Sequence, residues 1–280
     1  MKKLFNLLLG QMMNIRERIY NFLDSQKPFL NKIKYCGFDL YYGQRSGIVN
    51  RIRFGHLSRK YEPELCDAII LDLKKSQQPI FIDIGANIGF ISLAVFSKVP
   101  QTKIFAFEPG IHQNKMLDIT ILANGLQNNI ILSKQAVSNT TGATVFQIHK
   151  NEAESVGDGL IDTRRGGETS SVSVPVIRLD DWWISQKQIG VSVIKIDTEG
   201  AELYILQGAE KMIKACKPII YLEISLLNLK SYPYTAHDIL EWLVSHNYYL
   251  YTIDGSCVEN ENLEKLATIE DSFVARPGKI

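Results

Sequence analysis

The stretch PIFIDIGANIGFISLAVFSKVPQTKIFAFE, Pro79–Glu108, decides how this chain is read. Ile80, Phe81, Ile82 and Ile84 form a nearly unbroken apolar run, the pattern of a strand buried on both faces of a parallel sheet. Asp83 interrupts the run near its carboxyl end, and Gly85-Ala86-Asn87-Ile88-Gly89 makes a turn. Ile88, Ile91, Leu93, Val95 and Phe96 then give the following segment a broad apolar surface at helical period. Ile104–Phe107 reads as a second strand, ended by Glu108-Pro109. Open parallel sheets bind ligands outside the carboxyl ends of their strands, which is where Asp83, the glycine turn and Glu108 all fall.

The turn narrows the ligand. A dinucleotide fingerprint needs three glycines, the middle one letting the backbone close on a pyrophosphate, and Asn87 holds that middle place here. The acid that bonds ribose hydroxyls is retained, since Glu108 lies 19 positions after Gly89. A nucleoside without phosphates fits better than NAD. S-adenosylmethionine is such a ligand, its ammonium placed near the strand-end acid Asp83. The plainer reading is that any βαβ unit shows a glycine turn and an acid.

The chain has 280 residues, enough for one large domain with a small extension, and its composition is that of an ordinary soluble protein. Net charge is +1, so the charge balance makes no case for nucleic acid. Residues 1–34 carry seven Lys/Arg against Glu17 and Asp24, a balance of +5 that leaves −4 for the rest. Cys36, Cys66, Cys216 and Cys257 are widely spaced, without a CxxC pair or zinc-like histidine spacing, and read as reduced core thiols of a cytoplasmic protein. The opening MKKLFNLLLGQMM resembles the start of a signal peptide. Its apolar run is broken by Asn6, Gly10 and Gln11, lacks a small-residue cleavage site and is too short to span a bilayer.

Along the chain, Leu4–Leu23 has apolar residues at spacings of three and four with Arg16, Glu17 and Arg18 between them, an amphipathic basic helix. Such a helix can touch an anionic membrane, but more often packs on its own domain or a second subunit of a homo-oligomer. Residues 1–34 are read as this helical extension, 35–78 as strands and a helix packed on the core, and 79–280 as the main domain. Phe38–Tyr42 and Ile48–Phe54 look like short strands, paired as a hairpin around Gly43–Gly47, and Glu62-Pro63-Glu64 opens a helix. Lys115–Leu126 is a helix and Ile130–Val137 a third strand, whose Gln135-Ala136-Val137 passes the adenine pocket of a doubly wound sheet. Thr144–His149 and Val172–Ile177 alternate as exposed antiparallel strands do. Residues 151–170 between them are glycine-rich and aperiodic, the kind of long loop that serves as a substrate lid or is disordered. Val191–Ile196 and Ile219–Ile224 are further buried strands, Tyr234–His246 is a helix, and Tyr248–Ile253 with Ser272–Ala275 forms a terminal hairpin. Trp182-Trp183 anchors a helix in the core or, less favoured, forms a sugar-stacking platform.

With IDIGANIGF, AFEP, the strand leading to Ala136-Val137-Ser138, KIDTEGAE and the terminal hairpin assembled in this order, the chain resembles the FkbM family of S-adenosylmethionine-dependent methyltransferases. The resemblance covers Tyr61–Pro277 and leaves the first 60 residues unmatched. It implies a Rossmann-like class I methyltransferase fold: an α/β, mostly parallel seven-stranded sheet with a terminal antiparallel hairpin. It further implies that Asp83, Gly85, Ala86, Asn87 and Gly89 form the donor loop, that Glu108 beside Pro109 holds the ribose, and that Gln135 and Ala136 border the adenine. Glu64, in YEPEL, falls where similar proteins place an acid beside that loop, and KIDTEG implies that Asp197 and Glu199 flank the methyl-transfer site. The acceptor it implies is a hydroxyl on a sugar, glycan or other small natural product.

An alcohol must lose a proton as it attacks, which calls for a base or a metal. Asp197, Glu199 and Glu223 are the candidate bases, with Lys195 neutralising them or orienting the acceptor. Each has an ordinary structural role as an alternative: a helix-start acid for Glu199, a salt bridge for Lys195. Three carboxylates can also hold Mg²⁺ or Ca²⁺, although nothing in their spacing demands it. Two other classes stay open at this point, an NAD-dependent oxidoreductase and a donor-binding assembly protein without catalysis.

Overall fold

The computed structural model describes residues 31–43, 49, 61–149, 158–163 and 168–278. The amphipathic segment Leu4–Leu23 lies outside them, as do most of residues 44–60. The described chain opens on a hairpin, β1 (Asn31–Tyr35) against β2 (Phe38–Tyr42), turning at Cys36-Gly37 with both residues at positive φ. The partner of Phe38–Tyr42 is therefore the strand before it, not the expected Ile48–Phe54; Val49 is helical and buried, and the rest of that stretch lies outside the described residues. The expected boundary at residue 34 falls inside β1. The hairpin is docked by side chains of a later helix: Asn124 Oδ1 accepts from the Asp39 amide at 2.9 Å and Thr120 Oγ1 from the Tyr41 amide at 3.0 Å.

Helix α1 (Pro63–Leu73) leads into β3 (Ile80–Ile84), α2 (Phe90–Lys98), β4 (Lys103–Phe107), α3 (Ile111–Ala123) and β5 (Ile130–Ser133). The expected third strand Ile130–Val137 is split. Its second part, β6 (Ala136–Val137), leaves the main sheet and pairs with β8 (Thr169–Ile177), which is antiparallel to β7 (Gly142–His149) in a separate three-stranded sheet. The chain then runs through α4 (Leu179–Ser185), β9 (Val193–Ile196), α5 (Glu202–Gly208), α6 (Glu210–Cys216) and β10 (Ile219–Glu223). It closes with α7 (Leu226–Leu229), α8 (Ala236–Ser245), β11 (Tyr248–Thr252), β12 (Cys257–Val258), α9 (Leu263–Ala267) and β13 (Ser272–Pro277).

The main sheet has the order β12-β11-β13-β10-β9-β3-β4-β5, with β13 antiparallel to both neighbours and the five strands from β10 to β5 parallel. It is thus the expected mostly parallel seven-stranded sheet with its closing antiparallel pair, extended by the two-residue β12. The apolar runs that signalled burial on both faces do so by alternation. Ile82, Ile84, Phe105, Phe107, Ile194, Ile196, Ile220 and Leu222 join one core, while Phe81, Ile104, Ala106, Val193 and Tyr221 join the other. Trp182 packs edge-on to Phe105 and Phe107, at ring separations of 4.9 and 5.5 Å, and Trp183 Nε1 donates to the Ile189 carbonyl at 2.7 Å. Both indoles are core anchors, and neither lines the cavity described below. Among the described residues no helix is long and apolar enough to cross a membrane.

A buried ionic cluster ties α1 to the strands beyond it. Asp72, 5% exposed, accepts from the Tyr221 hydroxyl at 2.5 Å, from Arg276 Nη2 at 2.8 Å and from Lys75 Nζ at 2.6 Å. Burial raises its carboxyl, but Arg276, Lys75 and Tyr221 outweigh burial and hold it below the usual carboxylate range. Replacing Asp72 with alanine leaves a buried hydroxyl and a half-buried guanidinium without their acceptor, and is expected to cost roughly 2–4 kcal/mol. A depressed carboxyl stabilises the fold fully above its unfolded value and loses that contribution as pH falls through its folded value. The denaturation midpoints of wild type and Asp72→Ala should therefore differ at neutral pH and converge in acid; midpoints that coincide at neutral pH would refute the role.

Candidate active site

The parallel order reverses at β3: the chain moves from β3 to β4 and β5 on one side, then returns to β9 and β10 on the other. Carboxyl ends at such a switch point splay apart and leave a crevice. A cavity of about 220 Å³ opens there, bounded by the β3–α2 turn, the ends of β4, β9 and β10, and the segment after β5.

The turn is held from both sides. Gly85 and Ala86 amides donate to the Phe107 carbonyl at 3.0 and 3.1 Å, and the Gly85 carbonyl accepts from Lys195 Nζ at 2.9 Å. Gly85, at φ +76°, lies so close to β9 that a Cβ there would stand 1.8 Å from the Asp197 carbonyl oxygen. Asn87, at φ +50°, points its amide at Glu108 Oε2 at 2.8 Å, while Glu108 Oε1 accepts from the Gly110 amide at 2.8 Å. Each carboxylate oxygen thus fixes one loop and keeps a lone pair for the cavity. Burial drives the Glu108 carboxyl up to about 7 against the lowering effect of those two amides.

Lys195 stands opposite Asp83 in the parallel register of β9 and β3. Its ammonium is 3.1 Å from Asp197 Oδ2 and 3.6 Å from Asp83 Oδ1, with side chains 4% exposed for Lys195 and fully buried for Asp83. Burial alone would lower it, but Asp197, Asp83 and Glu62 outweigh burial and hold it above its ordinary value, so it stays charged. The KIDTEG loop that follows is pinned by Glu202, whose Oε1 accepts from the amides of Thr198 and Gly200 and from the Thr198 hydroxyl. That pinning holds Glu199 at φ +60° facing the cavity.

Of the residues singled out from the sequence, Gly85, Ala86, Asn87, Glu108, Pro109, Gln135, Ala136, Lys195, Asp197, Glu199 and Glu223 all line this one cavity. Asp83 and Gly89 support it from outside: Asp83 Oδ2 accepts from the Ser92 hydroxyl at 2.6 Å, and Gly89 begins α2 at φ +99° against Leu117. Glu64 is misplaced by the sequence reading. It sits exposed in the first turn of α1, and Glu62 lines the cavity instead. The cause is Pro63 at the first helical position, which makes Glu62 the N-cap, at φ 44°, and turns Glu64 outward. That proline was the signal to use. Burial, then the like charge of Asp197, pushes the Glu62 carboxyl up to about 7.

Four further wall residues carried no motif. Tyr61 stacks on Phe90 with ring centroids 5.1 Å apart. Asp158 and Leu160, from the aperiodic stretch 151–170, also wall the cavity: Gly159 bridges to Gln147 of β7, and Asp158 accepts from Gln113 at 3.0 Å. Asp271 enters from the start of β13. The described residues contain no group of three or more His, Cys, Asp or Glu arranged to hold a metal ion.

The family model described as Methyltransferase FkbM domain matches residues 83–250. Methyltransferase sdnD of Sordaria araneosa is 30% identical over 159 residues, 48% of this chain and 61% of that protein. Methyltransferase 1 of Beauveria bassiana (strain ARSEF 2860) is 27% identical over 143 residues, 46% of this chain and 57% of that protein, so the match spans less than two thirds of either relative. Among solved structures, Methyltransferase FkbM from Methylobacillus flagellatus KT aligns with 71% of this chain and 43% of that one, at 15% identity and a TM-score of 0.45. The SAM Dependent Methyltransferase from Agrobacterium tumefaciens aligns with 90% of this chain and 71% of that one, at 9% identity and a TM-score of 0.44. The family match covers more than half of the sequence and takes in the glycine turn, Glu108 and the KIDTEG loop, and the chain belongs to the methyltransferase FkbM domain family.

Proposed function

We propose that the protein transfers a methyl group from S-adenosylmethionine to a hydroxyl of a small-molecule or glycan acceptor. The observation that carries this reading is one cavity lined at once by Glu108, by the Gly85–Asn87 turn and by the carboxylates Glu199 and Glu223. When bound, the donor supplies an electrophilic methyl on a sulfonium. Glu108 accepts from ribose hydroxyls, Gln135 and Ala136 border the base, and Glu62 and Asp197 attract the ammonium of the methionine tail. Lys195 stays committed to Asp83, Asp197 and the Gly85 carbonyl and so braces the turn. Because the displacement is in-line, most acceleration comes from positioning, and what is left for the chain to do is take the hydroxyl proton. Glu223 suits that role, because burial, then Asp197 and Glu199, raise its carboxyl well above the ordinary range.

The oxidoreductase reading loses support at the same turn. The amide at the middle glycine position is spent on Glu108 and is not available to a pyrophosphate. Equilibrium dialysis should show one S-adenosylmethionine bound per chain, and a panel of sugars and hydroxylated natural products should include one that releases S-adenosylhomocysteine. Enhanced NADH fluorescence on mixing, with no retention of either sulfur ligand, would overturn the reading; donor retention without turnover on any acceptor would favour a non-catalytic assembly role.

A further inference from the structure

We propose that Asn228 is a positioning residue whose amide bridges Glu199 and Glu223 into a single proton-accepting dyad on the acceptor side of the cavity. The inference rests on the methyl-transfer reading and adds to it the device that sets the base. Asn228 lies in α7, wholly buried, and does not line the cavity. Its Nδ2 is 2.8 Å from Glu199 Oε2 and 3.3 Å from Glu223 Oε2, so one NH₂ group donates to carboxylates from the ends of two different strands. The orientation of the amide follows from chemistry, since a flip would aim its oxygen at both carboxylates. The geometry is supported on either side. The Ser225 hydroxyl accepts from the Asn228 amide at 3.4 Å, and Glu202 holds the loop that presents Glu199. Asn228 Oδ1 is buried with no hydrogen-bond partner among the described residues, so the side chain is placed for its donors alone.

The choice of amide has a consequence. A lysine or arginine at this point would neutralise both carboxylates and leave neither basic. A neutral double donor fixes both oxygens yet leaves their mutual repulsion intact, so the pair keeps one proton to higher pH than either carboxyl alone. The charged and titratable groups around Glu223 act the same way: Asp197, Glu199, Glu202 and Asp271 are all acidic and the Tyr61 hydroxyl is neutral, while Lys195 is engaged by Asp83 and Asp197. In turnover the acceptor hydroxyl passes its proton to the fully ionised dyad, where the raised Glu223 carboxyl holds it, and the dyad regains its ionised state by releasing that proton to solvent.

The test uses the full-length protein with carboxyl-¹³C glutamate, the Glu223 resonance being assigned by its loss in Glu223→Gln. In Asn228→Leu, which removes both donors, the Glu223 titration should move up by roughly one pH unit or more, a tenfold change in proton affinity. Asn228→Ala removes both donors with less bulk and should move it the same way, which decides the question if the leucine variant does not fold. Affinity for S-adenosylhomocysteine should stay within about twofold in both, a change worth less than 0.5 kcal/mol at RT ≈ 0.59 kcal/mol. The acid limb of kcat should move with the resonance once an acceptor is known. Normal product binding with an unmoved Glu223 titration in both variants overturns the bridge alone. A wild type that fails to bind S-adenosylhomocysteine overturns the methyl-transfer reading, and with it the proton-accepting role, whatever the titration shows.

Discussion

Gly85→Ala is expected to lose at least a hundredfold in affinity for S-adenosylhomocysteine, since an added carbon there meets a nearer obstacle than at any other described glycine. Two costs combine. The residue has φ +76°, where a side chain costs about 1–2 kcal/mol. The added carbon would also stand 1.8 Å from the Asp197 carbonyl oxygen and 2.9 Å from its carbon, and a backbone obstacle of this kind does not rotate away. Overpacking adds about 1–3 kcal/mol or more, relieved only by parting the turn from β9. That movement breaks the bond from Lys195 to the Gly85 carbonyl and withdraws the Asn87 amide from Glu108. Gly125→Ala is the control, because Gly125 also has positive φ, +68°, but open space around it. Calorimetric titration of the two variants separates them: a small loss of stability and normal binding for Gly125→Ala, lost binding for Gly85→Ala. Near-normal affinity in Gly85→Ala would mean that the turn is not the donor cradle.

Glu108→Ala should weaken the same titration tens-fold or more, about 2–4 kcal/mol for two charge-assisted bonds to ribose hydroxyls. It should also lower stability by roughly 1–3 kcal/mol, because the Asn87 and Gly110 amides lose their acceptor inside the protein. Glu108→Gln retains one acceptor and should fall between. The pH dependence runs in opposite directions for the two properties. The ordinary carboxyl value is 4.5 and the folded one about 7, so the Glu108 contribution to stability is fully present below 4.5 and lost as pH rises through 7. The two charge-assisted bonds to ribose hydroxyls need the ionised form, so the affinity advantage of wild type over Glu108→Ala should grow as pH rises through that value. An advantage that is flat with pH would show that Glu108 serves the loops and not the ligand.

The parts of this architecture that could be read in the sequence are those where local chemistry and burial agree. The apolar run Ile80–Ile84 is hydrophobic on both faces because both faces are covered, and its acid Asp83 is visible because nothing else in the run is polar. Strand β1 is hidden for the opposite reason. Only Ile33 and Tyr35 turn inward along Asn31–Tyr35, and its partner β2 is held through Asp39 and Tyr41 by Asn124 and Thr120, far away in the chain. Glu62 was passed over for Glu64 because composition does not show which residue caps a helix, whereas the proline beside it does. The split after Ser133 depends on which sheet edge a two-residue strand finds, a matter of tertiary pairing. Asn228 had no signal at all, since a lone asparagine between two leucines gains meaning only from the carboxylates that the fold brings to it.

Glu62, Asn87 and Glu199 are non-glycine residues in left-handed backbone, and all three face the cavity. Each conformation costs on the order of 1–3 kcal/mol that packing elsewhere must offset. A selection for heat resistance alone would therefore reward glycine at these positions and erase three side chains from the binding wall. Stability and chemistry compete residue by residue here, so an engineer seeking a hardier protein should look away from the cavity wall and leave the three strained positions as they are.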